Sequence, residues 1–351
     1  MSKRKDPPAT SLSVNDDFNL TQHILYQSTH PSSLHKDHAQ QLALLLDSIQ
    51  QSCKWISAKV RAAGLFSLQG EAGLENATGD SVKKLDVLSN SAFIQGLTRS
   101  RTVAGMVSEE DEELIDVTDG PGKNGQFLLT FDPLDGSSNI DANVSIGTIF
   151  GVYKREANRM GKPVLKEEFM RPGTELVAAG YAMYGSATML VLTIGSGVDG
   201  FTLDPTTGEF VLTHPSIKMP AYRSVYSVNE GNSVHWHEDV KEYVAACKAG
   251  PKPQSLRYVG SMVADVHRTF VCGGGSFMYP ADKKSKNGKL RLLYEANPMA
   301  LITEQAGGKA IAGHNQRILD LVPTSIHERT GVYLGSSKNI EDLEAIMAKH
   351  A

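Results

Sequence analysis

The sequence predicts an α/β fold in which helices cover mixed β-sheets in layers. Three observations support this prediction. Residues 41–63 carry apolar side chains at helical spacing, residues 127–153 are dominated by strand-forming runs, and the second half of the chain alternates short helices with short strands. A chain of 351 residues, 40% of them apolar, is long enough to fill two hydrophobic cores.

The first half of the chain is predicted to pass from helix to sheet. Residues 1–38 are rich in Ser, Pro and His without clear periodicity, and we predict a mobile N-terminal arm there. Gly-punctuated residues 65–80 are predicted to form a movable loop between two helices. The predicted elements are helices at 41–63 and 87–97, strands within 127–153 and 176–194, and a hairpin at 199–212.

A domain boundary is predicted near residue 215, where Pro215 and Pro220 interrupt the pattern. The predicted domains are therefore residues 39–215 and residues 216–351. In the second domain we predict helices at 237–248, 262–271, 299–307 and 340–349 and strands at 290–294 and 332–334.

Composition and charge argue against several classes of protein. The net charge of −4 disfavours a nucleic-acid binder, and the longest apolar run, 189–194, has only the length of a strand. No signal peptide is predicted. Cys53, Cys247 and Cys272 lack C-x-x-C spacing, which favours buried thiols in a reducing compartment. We expect a cytosolic location; a peroxisome-like organelle is the alternative, although residues 349–351 give no clear address.

The most informative segment is Phe131-Asp-Pro-Leu-Asp-Gly-Ser-Ser-Asn139, which follows an apolar, β-prone stretch. Pro133 excludes regular helix and Gly136 allows a tight reversal, so Asp132 and Asp135 are expected where a buried strand breaks into a turn. Buried carboxylates are costly unless a cation shares them, and a turn with free N–H groups suits a phosphate beside a divalent metal. The alternative interpretation is an Asx-rich surface turn.

Other acids follow or flank apolar segments, namely Asp80, Asp86, Glu109, Glu110 and Glu295. The Glu109-Glu110 pair begins a run of five acids after a strand-like stretch, for which a solvated acidic loop is the alternative. Glu295 ends the run 290–294 that we predict to be a strand. Together with the Asp132 motif, these acids predict an oxygen-only cage for Mg²⁺, Mn²⁺ or Zn²⁺, with phosphate as co-ligand.

The run Asp132-Pro-Leu-Asp-Gly-Ser-Ser-Asn-Ile-Asp141 resembles the metal-binding motif of the fructose-1,6-bisphosphatases, within the lithium-sensitive, metal-dependent sugar-phosphatase superfamily. Further runs resemble the class I enzymes of that family, namely 78–90, 144–153, 257–268 and 287–299. The resemblance implies the sugar-phosphatase fold, a layered α/β/α/β/α sandwich with mixed sheets. It also implies that residues 39–215 form a regulatory domain that carries the metal motif, and residues 216–351 a catalytic, substrate-binding domain.

The resemblance implies a role for each acid. The implied metal ligands, for two or more Mg²⁺ (or Mn²⁺ or Zn²⁺) ions per site, are Glu109, Glu110, Asp132, the Leu134 carbonyl, Asp135 and Glu295. Asp80 would hold or deprotonate the attacking water together with Glu110. Asp86 would support the metals or the loop that precedes it.

The resemblance also implies the substrate contacts. Gly136, Ser137 and Ser138 would donate hydrogen bonds to the phosphate that is cleaved. The distal phosphate and the sugar ring would be bound by Asn229, Arg257, Tyr258, Tyr279 and Lys289. In this family the arginine reaches in from a neighbouring subunit, which implies a homo-oligomer, usually a tetramer. Core packing is the alternative for the two tyrosines.

The sequence departs from the family pattern at two places. Asn232 stands where the family usually has a tyrosine, which removes or shifts one hydroxyl at the distal phosphate. At the family's allosteric AMP site, the usual residues are replaced by Ala39-Gln40-Gln41, Gln126-Phe127 and Lys154. AMP is therefore expected only as a candidate inhibitor.

The activity that the resemblance implies is hydrolysis of D-fructose 1,6-bisphosphate to D-fructose 6-phosphate and phosphate, in gluconeogenesis. A related bisphosphatase, acting for example on sedoheptulose 1,7-bisphosphate, is the alternative enzyme. A catalytically silent sugar-phosphate sensor is the alternative outside the enzymes. The number of metal-binding carboxylates favours an enzyme, because a sensor would not need them.

Overall fold

The fold is taken from a computed structural model that describes residues 19–29, 35–65, 68, 70–75, 81–250, 252–314 and 316–350. The α-helices in these ranges are α1 (Leu20–Thr29), α2 (Ala39–Arg61), α3 (Lys84–Ser100), α4 (Glu238–Ala249), α5 (Met262–Val271), α6 (Asn297–Gln305) and α7 (Ser337–Met347). The strands are β1 (Glu71–Glu75), β2 (Ser81–Lys83), β3 (Val103–Ser108), β4 (Ile115–Asp116), β5 (Phe127–Asp135), β6 (Ile146–Lys154), β7 (Leu176–Tyr184), β8 (Thr188–Thr193), β9 (Asp199–Asp204), β10 (Glu209–His214), β11 (Val225–Ser227), β12 (Ser255–Leu256), β13 (Ser276–Tyr279), β14 (Leu290–Arg291), β15 (Lys309–Gly313), β16 (Gln316–Arg317), β17 (Arg329–Thr330) and β18 (Val332–Gly335).

The larger sheet has eight strands in the order β10-β9-β8-β7-β6-β5-β3-β4. β3 and β5 run parallel, whereas the other neighbouring pairs are antiparallel, so the sheet is mixed as the sequence predicts. Every residue of β5 is buried, because helices cover both faces of the sheet at this point. This explains why the sequence of β5 is apolar without alternation.

Helices and sheets alternate in five layers. α2 and α3 pack on one face of the eight-stranded sheet. α5 and α6 fill the space between that sheet and the six-stranded sheet β12-β11-β13-β18-β15-β16. α4 and α7 cover the far face of the six-stranded sheet. This order confirms the predicted α/β/α/β/α sandwich.

The N-terminal region differs from the prediction of an unstructured arm over residues 1–38. α1 lies within this stretch and packs against α2 and β10, with Leu20 and Ile24 buried. Two buried side chains in a ten-residue helix give too weak a periodic signal to separate it from a polar linker. Lys36–His38, at the end of the predicted arm, forms a short 3₁₀ helix, and residues 1–18 and 30–34 of the arm lie outside the described residues.

The segment before α6 is also corrected. The strand predicted at 290–294 ends at Arg291, and Leu292–Ala296 forms a π-helical turn that leads directly into α6. This apolar run is buried on all sides, so its periodicity cannot distinguish strand from helix. Pro298 does not break the structure, because a proline in the first turn of a helix removes no hydrogen bond. Glu295 therefore lies on a helical turn rather than at the end of a strand.

The expectation of buried thiols holds for Cys53 and Cys247 but is wrong for Cys272, which is exposed. Cys272 occupies the C-terminal cap of α5, where the chain leaves the core. Among the described residues, the helices are too short or too polar to cross a membrane.

Candidate active site

A cavity of about 580 Å³ brings together most of the acids that the sequence singled out. Its lining residues are Glu71, Lys83, Asp86, Glu109, Glu110, Asp132, Leu134, Asp135, Gly136, Ser137, Ser138, Tyr279, Lys289, Leu290, Arg291, Glu295 and Arg329. All six predicted metal ligands are in this set, and so are the three residues predicted to bind the cleaved phosphate. The cavity draws on both halves of the chain.

Asp132 and Asp135 are positioned by an irregularity at the end of β5. The pairing of β5 with β6 shifts between these two residues, and Asp132 accepts a hydrogen bond from the Leu134 N–H at 2.9 Å. Asp135 accepts hydrogen bonds from the Ser261 hydroxyl at 2.7 Å and from the Val263 N–H at 2.9 Å, at the start of α5. Both carboxylates are therefore held by fixed backbone rather than by flexible surface turns.

Glu109 and Glu295 approach this pair from two other elements. The N–H of Glu109 donates to the Phe131 carbonyl at 3.2 Å, which holds the start of the acidic run beside β5. Glu295 accepts a hydrogen bond from the Arg291 N–H at 2.6 Å. Oxygen atoms of Asp132, Asp135 and Glu295 all lie within 4.8 Å of one another, and all three residues are buried.

The acids of this cluster are difficult to ionise together. Burial, followed by the charge of the neighbouring carboxylates, raises the pKa of Asp132 and of Glu295 well above their ordinary values. Burial raises the pKa of Glu109 to about 7, against the opposing effect of Arg291. Burial also raises the pKa of Asp135. A hard divalent cation would remove this penalty, and an all-oxygen donor set is the one it prefers. The residues present therefore fit a metal site.

Asp86 and Glu110 line the same cavity beside the cluster. Asp86 is buried at the start of α3, where one oxygen accepts from the Lys83 N–H at 2.7 Å. Its other oxygen has no hydrogen-bond partner among the described residues. Burial raises the pKa of Asp86 to about 6, against the opposing effects of Lys83 and the nearby Ser137 hydroxyl. The third predicted catalytic acid, Asp80, lies outside the described residues.

Gly136, Ser137 and Ser138 form the turn that follows β5. Gly136 has a φ of 73°, and a Cβ atom there would meet Cβ of Ser261 at 2.6 Å, so glycine is required on both counts. Ser137 begins a short 3₁₀ helix, Ser137–Asn139, whose first N–H groups have no acceptor within the helix. This turn can present N–H and hydroxyl donors to an anion in the cavity.

A second, smaller pocket adjoins the first. It is lined by Val228, Asn229, Asn232, Trp236, Met278, Tyr279, Pro280, Asp282 and Lys289. Tyr279 and Lys289 line both spaces, so the two are adjacent. The Tyr258 hydroxyl lies near the Asn229 side chain, and burial raises the pKa of Tyr258 to about 12. Both tyrosines are partly buried, and Tyr279 packs against the hydrophobic core as well as lining both spaces.

Arg257, like Tyr258, is a predicted substrate-binding residue that lines neither of these spaces. Its side chain is exposed and donates to the carbonyl of Leu256 at 2.8 Å. It lines neither cavity of its own chain. Its expected role in the site of a neighbouring subunit stays a prediction.

Apart from Lys289, the sequence did not single out the basic residues of the main cavity as site residues. Arg291 is 2% exposed and opposes the rise in pKa of both Glu109 and Glu295. The signal for it was available, because a lone arginine in the apolar run 290–293 needs a buried partner. Lys83 also lines the cavity and pairs with Asp141 at 3.2 Å. Arg329 carries no such sequence signal.

A five-layer α/β sandwich with a buried cluster of carboxylates beside a phosphate-binding turn defines a metal-dependent phosphoester hydrolase. Two family models match the chain: fructose-1-6-bisphosphatase N-terminal domain over residues 19–215 and fructose-1-6-bisphosphatase C-terminal domain over residues 219–348. The chain belongs to the fructose-1,6-bisphosphatase family, as its sequence motifs indicate. It is thus a phosphoric monoester hydrolase of a metal-dependent family that acts on a sugar bisphosphate.

Individual relatives cover nearly the whole chain. The cytosolic fructose-1,6-bisphosphatase of Oryza sativa subsp. japonica is 50% identical over 341 residues, covering 96% of this chain and 97% of the relative. That of Brassica napus is 54% identical over 309 residues, covering 87% and 89%. Leishmania major fructose-1,6-bisphosphatase in holo form superposes with a TM-score of 0.87 at 48% identity, covering 94% of this chain and 98% of that one. Its apo form gives a TM-score of 0.81 at 46% identity, with 94% and 99% covered.

Proposed function

We propose that this chain hydrolyses the 1-phosphate ester of D-fructose 1,6-bisphosphate, giving D-fructose 6-phosphate and inorganic phosphate, as a step of gluconeogenesis. The observation that carries the proposal is that Tyr279 and Lys289 line both the acidic cavity and the adjoining pocket. The acidic cavity suits the phosphate that is cleaved, and the adjoining pocket supplies amide, hydroxyl and ammonium donors for a second phosphate. A substrate with one phosphate would leave those donors unmatched.

We infer that two or more Mg²⁺ ions are held by the six residues predicted to be ligands: Glu109, Glu110, Asp132, the Leu134 carbonyl, Asp135 and Glu295. Mn²⁺ is the closest substitute, and the absence of nitrogen and sulfur donors from this set makes Zn²⁺ a weaker fit. When bound there, the ions would supply charge neutralisation for the phosphoryl oxygens and activation of the attacking water.

The residues around this cage complete the chemistry. The N–H and hydroxyl groups of Gly136, Ser137 and Ser138 bind the phosphate that is cleaved and orient it for in-line attack. Asp86 lines the cavity beside the cage and has one oxygen without a partner among the described residues, which suits it to hold the attacking water. Glu110 shares this role in the proposal, and so does Asp80.

We propose that the distal phosphate and the sugar are bound by Asn229, Tyr258, Tyr279 and Lys289, completed by Arg257 of a neighbouring subunit in a homotetramer. Lys289 supplies a point charge, whereas the guanidinium of Arg257 can bind two phosphate oxygens at once. The exposure of Arg257 supports this arrangement, because an arginine of a shared site must be free to leave its own chain's surface.

AMP remains a candidate inhibitor, and the geometry argues that its binding is weak. Lys154 donates from Nζ to Nδ1 of His38 at 3.0 Å, and the His38 ring contacts Phe127 edge-on with centroids 5.8 Å apart. Two of the positions that differ from the family pattern, Phe127 and Lys154, thus contact His38 of the protein itself.

For the cellular location, we propose a cytosolic enzyme, which the naming of the relatives from Oryza sativa and Brassica napus as cytosolic supports.

The proposal is tested by measuring phosphate release from fructose 1,6-bisphosphate, sedoheptulose 1,7-bisphosphate, fructose 1-phosphate and inositol phosphate. We expect the fastest release from fructose 1,6-bisphosphate with Mg²⁺ or Mn²⁺, and none with a chelator. Preference for the sedoheptulose ester would support the alternative enzyme. Tight, metal-dependent binding without turnover would support a sensor instead.

Lys289→Gln tests the second pocket, with Lys286→Gln as a matched control in the same loop. Lys286 is exposed and lines neither cavity. We expect Lys289→Gln to raise KM for the bisphosphate about tenfold or more, since a charged hydrogen bond contributes about 1.5–3 kcal/mol. The KM for a monophosphate should change little in either variant. An equal effect on both substrates would contradict the assignment of the second pocket.

A further inference from the structure

Arg329 is a cation of the main cavity to which the mechanism above gives no role. It lies on β17 and lines the same space as the acids and the Gly136–Ser138 turn. Its side chain is partly buried. Within the described part of the chain, its guanidinium makes no ion pair with a carboxylate and no hydrogen bond. A partly desolvated charge in that condition is unfavourable unless a ligand supplies the counter-charge.

The pairing of β17 with β14 makes the charge of Arg329 still less favourable. β17 is antiparallel to β14, and Arg329 lies directly opposite Arg291. Side chains of opposed residues emerge on the same face of the ladder, where like charges destabilise the pair. Arg291 is compensated, because it faces Glu109 and Glu295. Among the residues that the structure describes, Arg329 is the member of the pair without a compensating carboxylate, so an anion that enters the cavity would supply the missing counter-charge.

The backbone that carries Arg329 is fixed on both sides of the cavity. The N–H of Leu292 donates to the Glu328 carbonyl at 2.8 Å. Nε2 of His327 donates to a backbone carbonyl of the acidic run at 3.2 Å, so its Nδ1 accepts from the Tyr294 hydroxyl at 2.9 Å. Arg329 is therefore presented from a segment tied to both the π-helical turn and the acidic run. Such preorganisation reduces the entropy lost on binding.

We propose that Arg329 binds the phosphoryl group that is cleaved and retains it as inorganic phosphate after hydrolysis. This inference rests on the proposed function. The guanidinium fork matches two phosphate oxygens. Of the substrate's two phosphates, the cleaved one is the partner, because Arg329 lines the cavity with Ser137 and Ser138 and does not line the second pocket.

The test compares Arg329→Gln and Arg329→Lys with wild type, in Mg²⁺. The measurements are kcat, KM, the inhibition constant of inorganic phosphate as product, and the rise in Tm that inorganic phosphate produces. We expect Arg329→Gln to weaken inhibition by phosphate about tenfold or more, to lower kcat/KM by a similar factor and to lose most of the phosphate-dependent rise in Tm. Arg329→Lys should recover part of each effect, because it keeps the charge without the fork.

The control variant is Arg317→Gln. Arg317 pairs with Glu304 and Asp320 and does not line the main cavity, so phosphate inhibition should not change. The Tm of ligand-free Arg329→Gln should not fall, because a like charge opposite Arg291 is removed. A fall in that Tm with unchanged phosphate inhibition would assign Arg329 a structural role and overturn the proposal.

The proposed function and the role of Arg329 can be contradicted independently of each other. If wild type releases no phosphate from fructose 1,6-bisphosphate, the proposed function is wrong. The phosphate-dependent rise in Tm then decides on Arg329: its loss in Arg329→Gln supports phosphate binding, and an unchanged rise overturns it. If wild type is active and Arg329→Gln has the same inhibition constant, only the inference about Arg329 is wrong.

Discussion

Asp132, Asp135 and Glu295 place three carboxylates in the interior, with oxygens of all three within 4.8 Å of one another. Such a cluster lowers the stability of the metal-free protein, because burial and mutual repulsion both oppose ionisation. A chain selected only for stability would not keep it. The cluster is therefore the residue-scale signature of a cation-dependent function.

Asp132→Asn tests both the loss of stability caused by the buried carboxylates and their role in phosphate release. The amide keeps the shape of the side chain and removes one charge. We expect phosphate release in Mg²⁺ to fall by a factor of about 100 or more, since charge-stabilising groups of an active site commonly contribute that much. Thermal unfolding in a chelator should show a Tm no lower than that of wild type. Full activity in this variant would contradict the site, and exposed Asp119→Asn serves as the control.

Gly136→Ala tests whether the turn after β5 supports the cage. Its matched control is Gly161→Ala, because Gly161 has a similar φ of 75° but open space around its Cβ position. In both variants the free energy of unfolding should fall by about 1–2 kcal/mol, because alanine must adopt a left-handed backbone conformation. Gly136→Ala should lose more and should need more Mg²⁺ for activity, since its Cβ displaces Ser261 and thereby Asp135. Chemical unfolding and a Mg²⁺ titration measure this, and equal effects in both variants would contradict it.

At the scale of elements, the sequence predicts most helices and strands of the structure. α5, predicted at 262–271, has those bounds in the structure, and the hairpin 199–212 corresponds to β9 and β10. The hairpin strands are partly exposed and α5, although largely buried, repeats its apolar residues at helical spacing, so the periodicity of both is visible. The run 290–294 is buried throughout and has no such contrast, which is why its turn towards α6 was not predictable.

The short helix Lys36–His38 anchors the chain before α2 through a relay of side chains. His35 donates from Nε2 to the Ile194 carbonyl at 2.6 Å, so its Nδ1 accepts from His38, at 3.2 Å. Lys154 donates to the remaining nitrogen of His38. Both imidazoles are thus neutral in the folded protein. Protonation of either imidazole would place two N–H donors opposite each other in this relay.

This relay predicts a loss of stability in acid. Burial, then the charges of Lys154 and His35, lowers the pKa of His38 to about 4, whereas an unfolded histidine titrates near 6.5. The unfolded state therefore binds more protons between these values. The contribution of His38 is complete above pH 6.5 and is lost as the pH falls towards 4. Chemical unfolding from pH 7 to pH 4.5 should show a smaller loss for His38→Gln than for wild type. Equal losses would contradict the relay.

At the scale of the whole molecule, the site is a product of the layering. Asp132 and Asp135 come from the eight-stranded sheet, Glu295 from the turn before α6 in the middle layer, and Tyr279 from the six-stranded sheet. Spacing along the chain cannot reveal this convergence. The resemblance to the family indicated it through the Asp132 motif, whereas Arg329 became visible only from the pairing of β14 with β17.

Shared sites in a homotetramer make a prediction about mixtures of variants. Arg257→Ala removes the arginine that a subunit contributes to its neighbour's site. Asp132→Asn removes a metal ligand from the subunit's own site. Subunits unfolded together and refolded should form hybrids in which some sites have an intact cage and a wild-type arginine from the neighbour. We expect phosphate release at low substrate to exceed that of either variant alone. Hybrids with no gain, or a monomer by sedimentation, would contradict the shared site.

The measurement that tests the central claim most directly is anomalous scattering from a crystal of this protein grown with Mn²⁺ and inorganic phosphate. The account predicts manganese peaks at about 2.0–2.3 Å from carboxylate oxygens of Asp132, Asp135 and Glu295, with phosphate oxygens beside them. Manganese bound elsewhere, with these three carboxylates free of metal, would contradict it.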